Sequence, residues 1–223
     1  MVIFGAGASY DSIDATRIPS ELTMKRPQRQ RRRELVRNYR PPLASELFAP
    51  RPSFDQIIAG YPSVAIRAKE LRTLPETANL EEEQDHLRGL SNADSTARRD
   101  LAGIRYYLKR VLWECGDEWF RFSPRETNYD LLLRKLRQWR EDKGEVISLV
   151  TFNYELLLER AIRASIGGVN LGTIEGYVAH PSYKVLRPHG AVHWAHHVSA
   201  PIRVDVKRDP LEIELDVIDL FGE

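Results

Sequence analysis

Two short apolar runs, each only long enough for a strand and each breaking off into a small polar turn, constrain this chain most. Val2-Ile3-Phe4 stops at Gly5, and Val146-Ile147-Ser148-Leu149-Val150 stops at Thr151-Phe152-Asn153-Tyr154-Glu155. Runs of this kind fit strands buried in a parallel sheet. Between them the pattern is helical. Leu101, Ile104, Leu108, Val111, Leu112 and Cys115 recur at steps of three and four, as do Tyr129, Leu132, Leu133 and Leu136. Both stripes read as core packing. A further helix carries Leu156, Leu157, Ile162 and Ile166, and Gly167-Gly168 closes it. Tyr183 to Leu186, Ala191 to Trp194 and Ile202 to Val206 read as additional strands. The order is that of an α/β domain with a mainly parallel sheet flanked by helices, and residues 24–140 form a largely helical insertion or lobe.

Composition removes several classes. At 223 residues the expectation is one domain with an accessory lobe. The 33 basic and 32 acidic residues nearly cancel, so bulk charge announces neither a nucleic-acid nor a membrane partner. Cys115 is the single cysteine, which excludes an internal disulfide framework or a multi-cysteine zinc cluster and points to the cytoplasm. No apolar run approaches membrane-span length. The apolar alternation Leu211, Ile213, Leu215, Val217 near the end reads as a domain cut from a longer protein, and a strand starting beside Met1 as either a short strand or one without the residues that precede it.

In open parallel sheets, ligands bind beyond the carboxyl ends of the strands. Three polar turns are expected there. Gly5-Ala6-Gly7-Ala8-Ser9 allows close backbone approach to a diphosphate, although Tyr10 stands where a third glycine of the usual dinucleotide fingerprint would fall. A plain tight turn explains it equally well. Thr151 to Glu155 places an amide and a carboxylate where a sugar hydroxyl or carboxamide could be fixed, but taken alone Thr151 and Asn153 read better as helix caps. Pro188-His189-Gly190-Ala191-Val192-His193-Trp194 offers His189 as a base. With Ala191 to Trp194 as a strand, His189 and His193 share a face while His196 and His197 lie beyond its end, so no metal is expected.

Taken together and in order, these turns resemble the sirtuin superfamily: Gly5 to Ser9 its Gly-Ala-Gly-x-Ser element, Thr151 to Glu155 its Thr-x-Asn-x-Asp element, and His189-Gly190 its His-Gly. The finer resemblance is to the bacterial sirtuin-like domains of antiphage systems. There Thr-x-Asn-Tyr-Asp precedes a Leu-rich helix, His-Gly runs on into a Trp, and a segment like Arg40-Pro41-Pro42-Leu43-Ala44-Ser45-Glu46-Leu47-Phe48 follows the glycine turn. The resemblance implies a Rossmann-like domain that binds NAD and cleaves it to nicotinamide and ADP-ribose, as an effector of antiphage defence by NAD depletion. It further implies that Gly5, Ala6, Gly7, Ala8 and Ser9 cradle the dinucleotide, with Thr151, Glu155 and Gly190 also lining the site. Asn153 would orient the nicotinamide ribose or the attacking water, and His189 would act as base. Glu155 departs from the family's aspartate by one methylene.

Two other activities follow from the same resemblance. One is a catalytically quiet sensor of NAD or ADP-ribose; the other is protein deacylation, disfavoured because family deacylases carry a four-cysteine zinc module. A sensor or regulatory domain, or a partner protein, is expected beyond this sequence, and self-association is left open. The basic run of Lys25, Arg26, Arg29, Arg31, Arg32, Arg33, Arg37 and Arg40 faces one acid, Glu34. It reads as a solvated insertion first and as a nucleic-acid contact second.

Overall fold

The structure is a computed structural model that describes residues 1–13, 26–73, 80–91, 94–122 and 127–195. In chain order its elements are β1 (Val2–Phe4), α1 (Ala6–Tyr10), α2 (Arg26–Tyr39), α3 (Pro52–Ala59), α4 (Pro62–Thr73), α5 (Leu80–Ser91), α6 (Ser95–Phe122), α7 (Asn128–Lys143), β2 (Ile147–Thr151), α8 (Leu157–Ser165), α9 (Ile174–Ala179) and β3 (Tyr183–Leu186). The chain divides into two compact units. One comprises Met1–Leu43 and Leu112–Trp194, and the other is built on Ala44–Val111. Helices α2 and α7 thus belong with the sheet.

Among the described residues the strands form one parallel sheet in the order β1-β2-β3. Val2 aligns with Leu149 and Phe4 with Thr151. Ile147 aligns with Tyr183 and Val150 with Leu186. This is the α/β architecture with a parallel sheet that the apolar runs predict. Two expectations fail. Ala191 to Trp194 forms turns instead of a strand, because Gly190 takes the left-handed φ of +78° and the next residues coil back, with Trp194 N–H donating to Ala191 O at 3.0 Å. Glu81-Glu82-Glu83, whose run of charge by itself suggests a polar, mobile stretch, lies inside α5, where the good helix propensity of glutamate counts for more than its polarity. The expected strand from Ile202 to Val206 lies outside the described residues.

The core of the sheet unit gathers Phe4, Leu149 and Val185 from the strands with Trp119, Leu133, Leu158 and Ile162 from the helices. Helix α8 buries Leu157, Leu158, Ala161 and Ile162, and each large side chain so covered contributes roughly 1.5 to 3 kcal/mol. Gly167 and Gly168, both with φ near +70°, end that segment in the left-handed conformation that glycine adopts without steric cost. In the second unit Phe54 is fully buried, and Phe48 stacks on Tyr107 at 5.0 Å, whose hydroxyl donates to Leu47 O.

Helix α7 carries the best-defined helix start. Thr127 accepts from Asp130 N–H at 3.3 Å, while Asp130 accepts from Thr127 N–H at 2.7 Å, a reciprocal capping box shielded from water. At the other end Gly144, φ 72°, donates to Arg140 O. Thr127→Ala is expected to lower unfolding stability by about 1 kcal/mol and Thr127→Ser by much less, measured from urea midpoints. An unchanged midpoint for Thr127→Ala would show that the cap is not what secures this end of α7.

Candidate functional site

Because the three strands are parallel and adjacent, the turns that follow them leave from the same edge of the sheet. The first begins at Gly5, extended at φ −110° and ψ −178°, and winds at once into the single short helix α1. Gly5, Ala6 and Gly7 are exposed. Neither glycine has positive φ, and a Cβ added at Gly5 or Gly7 would meet no atom within 4 Å. Neither backbone conformation nor internal packing therefore calls for glycine at these positions.

A buried polar cluster ties this turn to the second. Phe152 N–H extends the ladder to Phe4 O at 3.1 Å. The Asn153 side chain donates through Nδ2 to Gly5 O at 3.0 Å and Ser9 Oγ at 2.8 Å, and contacts Tyr129 Oη at 3.2 Å. Ser9 Oγ in turn donates to Glu155 Oε1 and lies 2.8 Å from Tyr129 Oη. The other oxygen of Glu155 accepts from Leu157 N–H at 2.6 Å, so Glu155, not Thr151 or Asn153, supplies the polar contact at the start of α8. Thr151 Oγ1 accepts from Asn153 N–H at 3.2 Å and stabilises the turn itself. Burial, with the nearby Glu155 charge, pushes the Tyr129 phenol well above its ordinary value, so it remains a neutral donor.

The third turn is bolted onto the second by Arg187. Its Nη2 donates to Asn153 O at 2.7 Å and to Glu155 O at 2.6 Å, and Nε lies 3.0 Å from Glu159 Oε1. Val192 N–H adds a bond to Tyr154 O at 3.0 Å. The turn then presents His189 outward, its ring 5.2 Å from Phe152 and 5.9 Å from Tyr154 between centroids. His193 goes the other way. Its Nε2 lies 3.2 Å from Tyr177 Oη, and burial, with Arg187 and Arg163, pushes it below the usual histidine range. The expectation that His189 and His193 share a strand face is therefore corrected: without a strand there is no shared face. His196 and His197 lie outside the described residues, and among the described ones no three His, Cys, Asp or Glu side chains gather in a metal-holding group.

Of the residues singled out in sequence, Gly5, Ser9, Asn153 and Glu155 are joined by hydrogen bonds, and His189 packs against the two aromatics that flank Asn153. Ser9, Thr151, Asn153 and Glu155 are all buried, which leaves the exposed glycine backbone and His189 as the outward parts. Sequence reasoning missed three others, Tyr129, Glu159 and Arg187, and gave Arg40 no contact with the first turn. Arg40 grips the end of the first turn, its guanidinium 3.4 Å above the Tyr10 ring and bonded to Tyr10 O and to Asp11. Trp119 Nε1 donates to Ser12 Oγ at 2.9 Å just beyond. A small hollow lined by Gly116, Leu156, Arg160 and Val192 adjoins the second and third turns, with room for about one water molecule and none for a dinucleotide.

Glu159 gives this support a pH signature. Burial pushes its carboxyl up to about 6, against the opposing pull of Arg187 and with a further push from Glu155. A folded-state value above the ordinary 4.5 means that the folded protein holds the proton more tightly than the unfolded chain. That contribution is fully present below pH 4.5 and is lost as pH rises through about 6, on the order of 2 kcal/mol. The stability of the wild type relative to Glu159→Gln should therefore fall across this window. A flat difference between the two proteins in urea titrations from acid to neutral pH would contradict it.

Comparisons with protein families, curated proteins and solved structures return no match to this chain.

Proposed function

We propose that the three turns form the NAD site of a Rossmann-like, sirtuin-type NAD hydrolase, acting as an effector of antiphage defence. The observation that carries this reading is the bare first turn. Its two glycines are required neither by φ nor by internal packing, yet they sit exposed at the end of a parallel strand, which suits close approach of a diphosphate to backbone amides. The order of the motifs, shared with the superfamily that the sequence resembles, supplies the ligand's identity.

In this reading Gly5 to Ser9 carry the diphosphate, and the ribose of nicotinamide lies toward Asn153 and His189. The C1′–N bond breaks with its electron pair passing to the pyridinium nitrogen, whose positive charge is thereby neutralised. No strong general acid is needed for such a leaving group. Water attacks the oxocarbenium-like C1′ and gives its proton to His189, which returns it to solvent. Phe152 and Tyr154 hold the His189 ring, and Arg187 holds the carbonyls on either side of Tyr154. Asn153 acts first as the latch between two turns, since the bonds of its side chain run inward through Nδ2. That same observation favours the second reading, an NAD or ADP-ribose sensor without turnover, in which the latch is structural and the site only binds.

The test combines binding with product analysis on the full-length, activated protein. ADP-ribose should raise the melting temperature of the wild type by mass action. Gly7→Val should abolish the shift while remaining folded, because a Cβ at this position meets no atom within 4 Å. Nicotinamide and ADP-ribose should appear together from NAD without any acylated peptide. His189→Ala and Asn153→Ala should each slow this by roughly a hundredfold or more, and His193→Ala far less. Wild-type turnover by folded His189→Ala would end the mechanism, and binding without turnover would establish the sensor instead.

A further inference from the structure

The proposed NAD site leaves the most strongly charged element of the molecule unused. Helix α2 reads RPQRQRRRELVRNY, six arginines and no lysine against the single acid Glu34. In the helical register positions 26, 29, 33 and 37 stand at i, i+3, i+7 and i+11, so the sequence places an arginine at four positions of one helix face over about 16 Å. Arg33 and Arg37 are exposed, as is Arg31 on a neighbouring sector. Glu34 does not interrupt the stripe; it accepts a hydrogen bond from Gln30 at 3.1 Å. The helix is also firmly seated. Leu35 and Val36 pack against the sheet core, and the chain leaves α2 directly into Arg40, which is bonded to Tyr10 and Asp11.

We propose that the arginine stripe of α2 is a docking surface for the phosphate backbone of nucleic acid, bound without regard to base sequence. Arginines spaced along one face of a helix seated on the core suit a linear polyanion, and arginine is suited to bidentate phosphate contacts. Insertion of α2 into a membrane would need apolar side chains free to enter it, whereas Leu35 and Val36 are committed to the core. The one aromatic residue of the helix, Tyr39, is half-buried, so there is no platform on which bases could stack. Contacts therefore fall on phosphates, and duplex and single strand should both bind. With a whole-chain net charge of only +1, such binding depends on this local row.

The experiment is fluorescence anisotropy of the full chain with a labelled duplex of arbitrary sequence, and with its single strand, from about 50 to about 200 mM NaCl. Four phosphate contacts predict a slope of log K against log salt of about −3 to −4, shallower by about one for each arginine removed. The triple variant Arg29→Glu/Arg33→Glu/Arg37→Glu should lose at least about tenfold in affinity at low salt. The gentler pair Arg33→Ala/Arg37→Ala, with the fold verified by melting, should show the smaller loss and the reduced slope. A control of equal charge change placed elsewhere, Lys109→Glu/Lys135→Glu/Lys143→Glu, should bind nearly as the wild type does. Undiminished binding by a folded stripe variant overturns the proposal. So does an equal loss in the control, which would make the effect one of bulk charge. Binding to phosphatidylserine-rich vesicles but to neither nucleic acid overturns it too.

Discussion

A parallel sheet can bring the ends of its strands close together, but it cannot by itself fix what lies beyond them. Here that task falls to one buried carboxylate. Removing an ionised carboxyl from water costs several kcal/mol unless donors replace the lost solvent. Glu155 is 4 % exposed, and its two oxygens meet the Ser9 hydroxyl from the first turn and the Leu157 amide at the start of α8. Neither turn can shift without stripping the carboxylate of a donor. Asn153 and Tyr129 close the cluster around the same hydroxyl, so the position of the glycine backbone is set by side chains from β2's end and from α7. Gly116 on α6 completes the enclosure, since a side chain there would come within 3.4 Å of the Glu155 Cβ.

The third turn depends on a second buried charge. Arg187 spends one nitrogen on two backbone carbonyls and meets Glu159 with another, so the guanidinium is both neutralised and used as a strut. Glu155, just before α8, and Glu159, within it, thus serve different turns from positions four residues apart. The arrangement separates the histidines by environment. His189 stays at the surface between two aromatic rings, and His193 is drawn inward beside Tyr177. An exposed imidazole beside a buried hydrogen-bonded latch is the arrangement that the proposed chemistry would use.

Much of this was legible in the sequence because apolar runs and three-four periodicity report burial directly. The strands at Val2, Ile147 and Tyr183 and the helices around Leu108, Leu133 and Ile162 follow from those patterns. The Ala191 to Trp194 segment misled because its apolar residues pack in turns, with Trp194 edge-on to Tyr177 at 5.7 Å, and a short apolar run carries no sign of whether a ladder exists. Tyr129 was hidden because it belongs to a core stripe, in which its ring reads as packing and its hydroxyl is the one polar side-chain group. Glu159 did leave a signal: a charged residue between Leu158 and Ile162 on the apolar face of α8, four places after Glu155. Arg187 is harder to find, since its partners are backbone carbonyls distant in sequence and only the fold brings them within reach.

The exposed glycine backbone is proposed as a diphosphate cradle held in place by the Ser9–Glu155 latch. A crystal structure of the protein with ADP-ribose bound tests this most directly. The diphosphate should lie against the Gly5 to Ser9 amides, the distal ribose toward Asn153 and His189, and the latch should be unchanged. A diphosphate seated elsewhere on a folded protein, with the glycine turn empty, would contradict it.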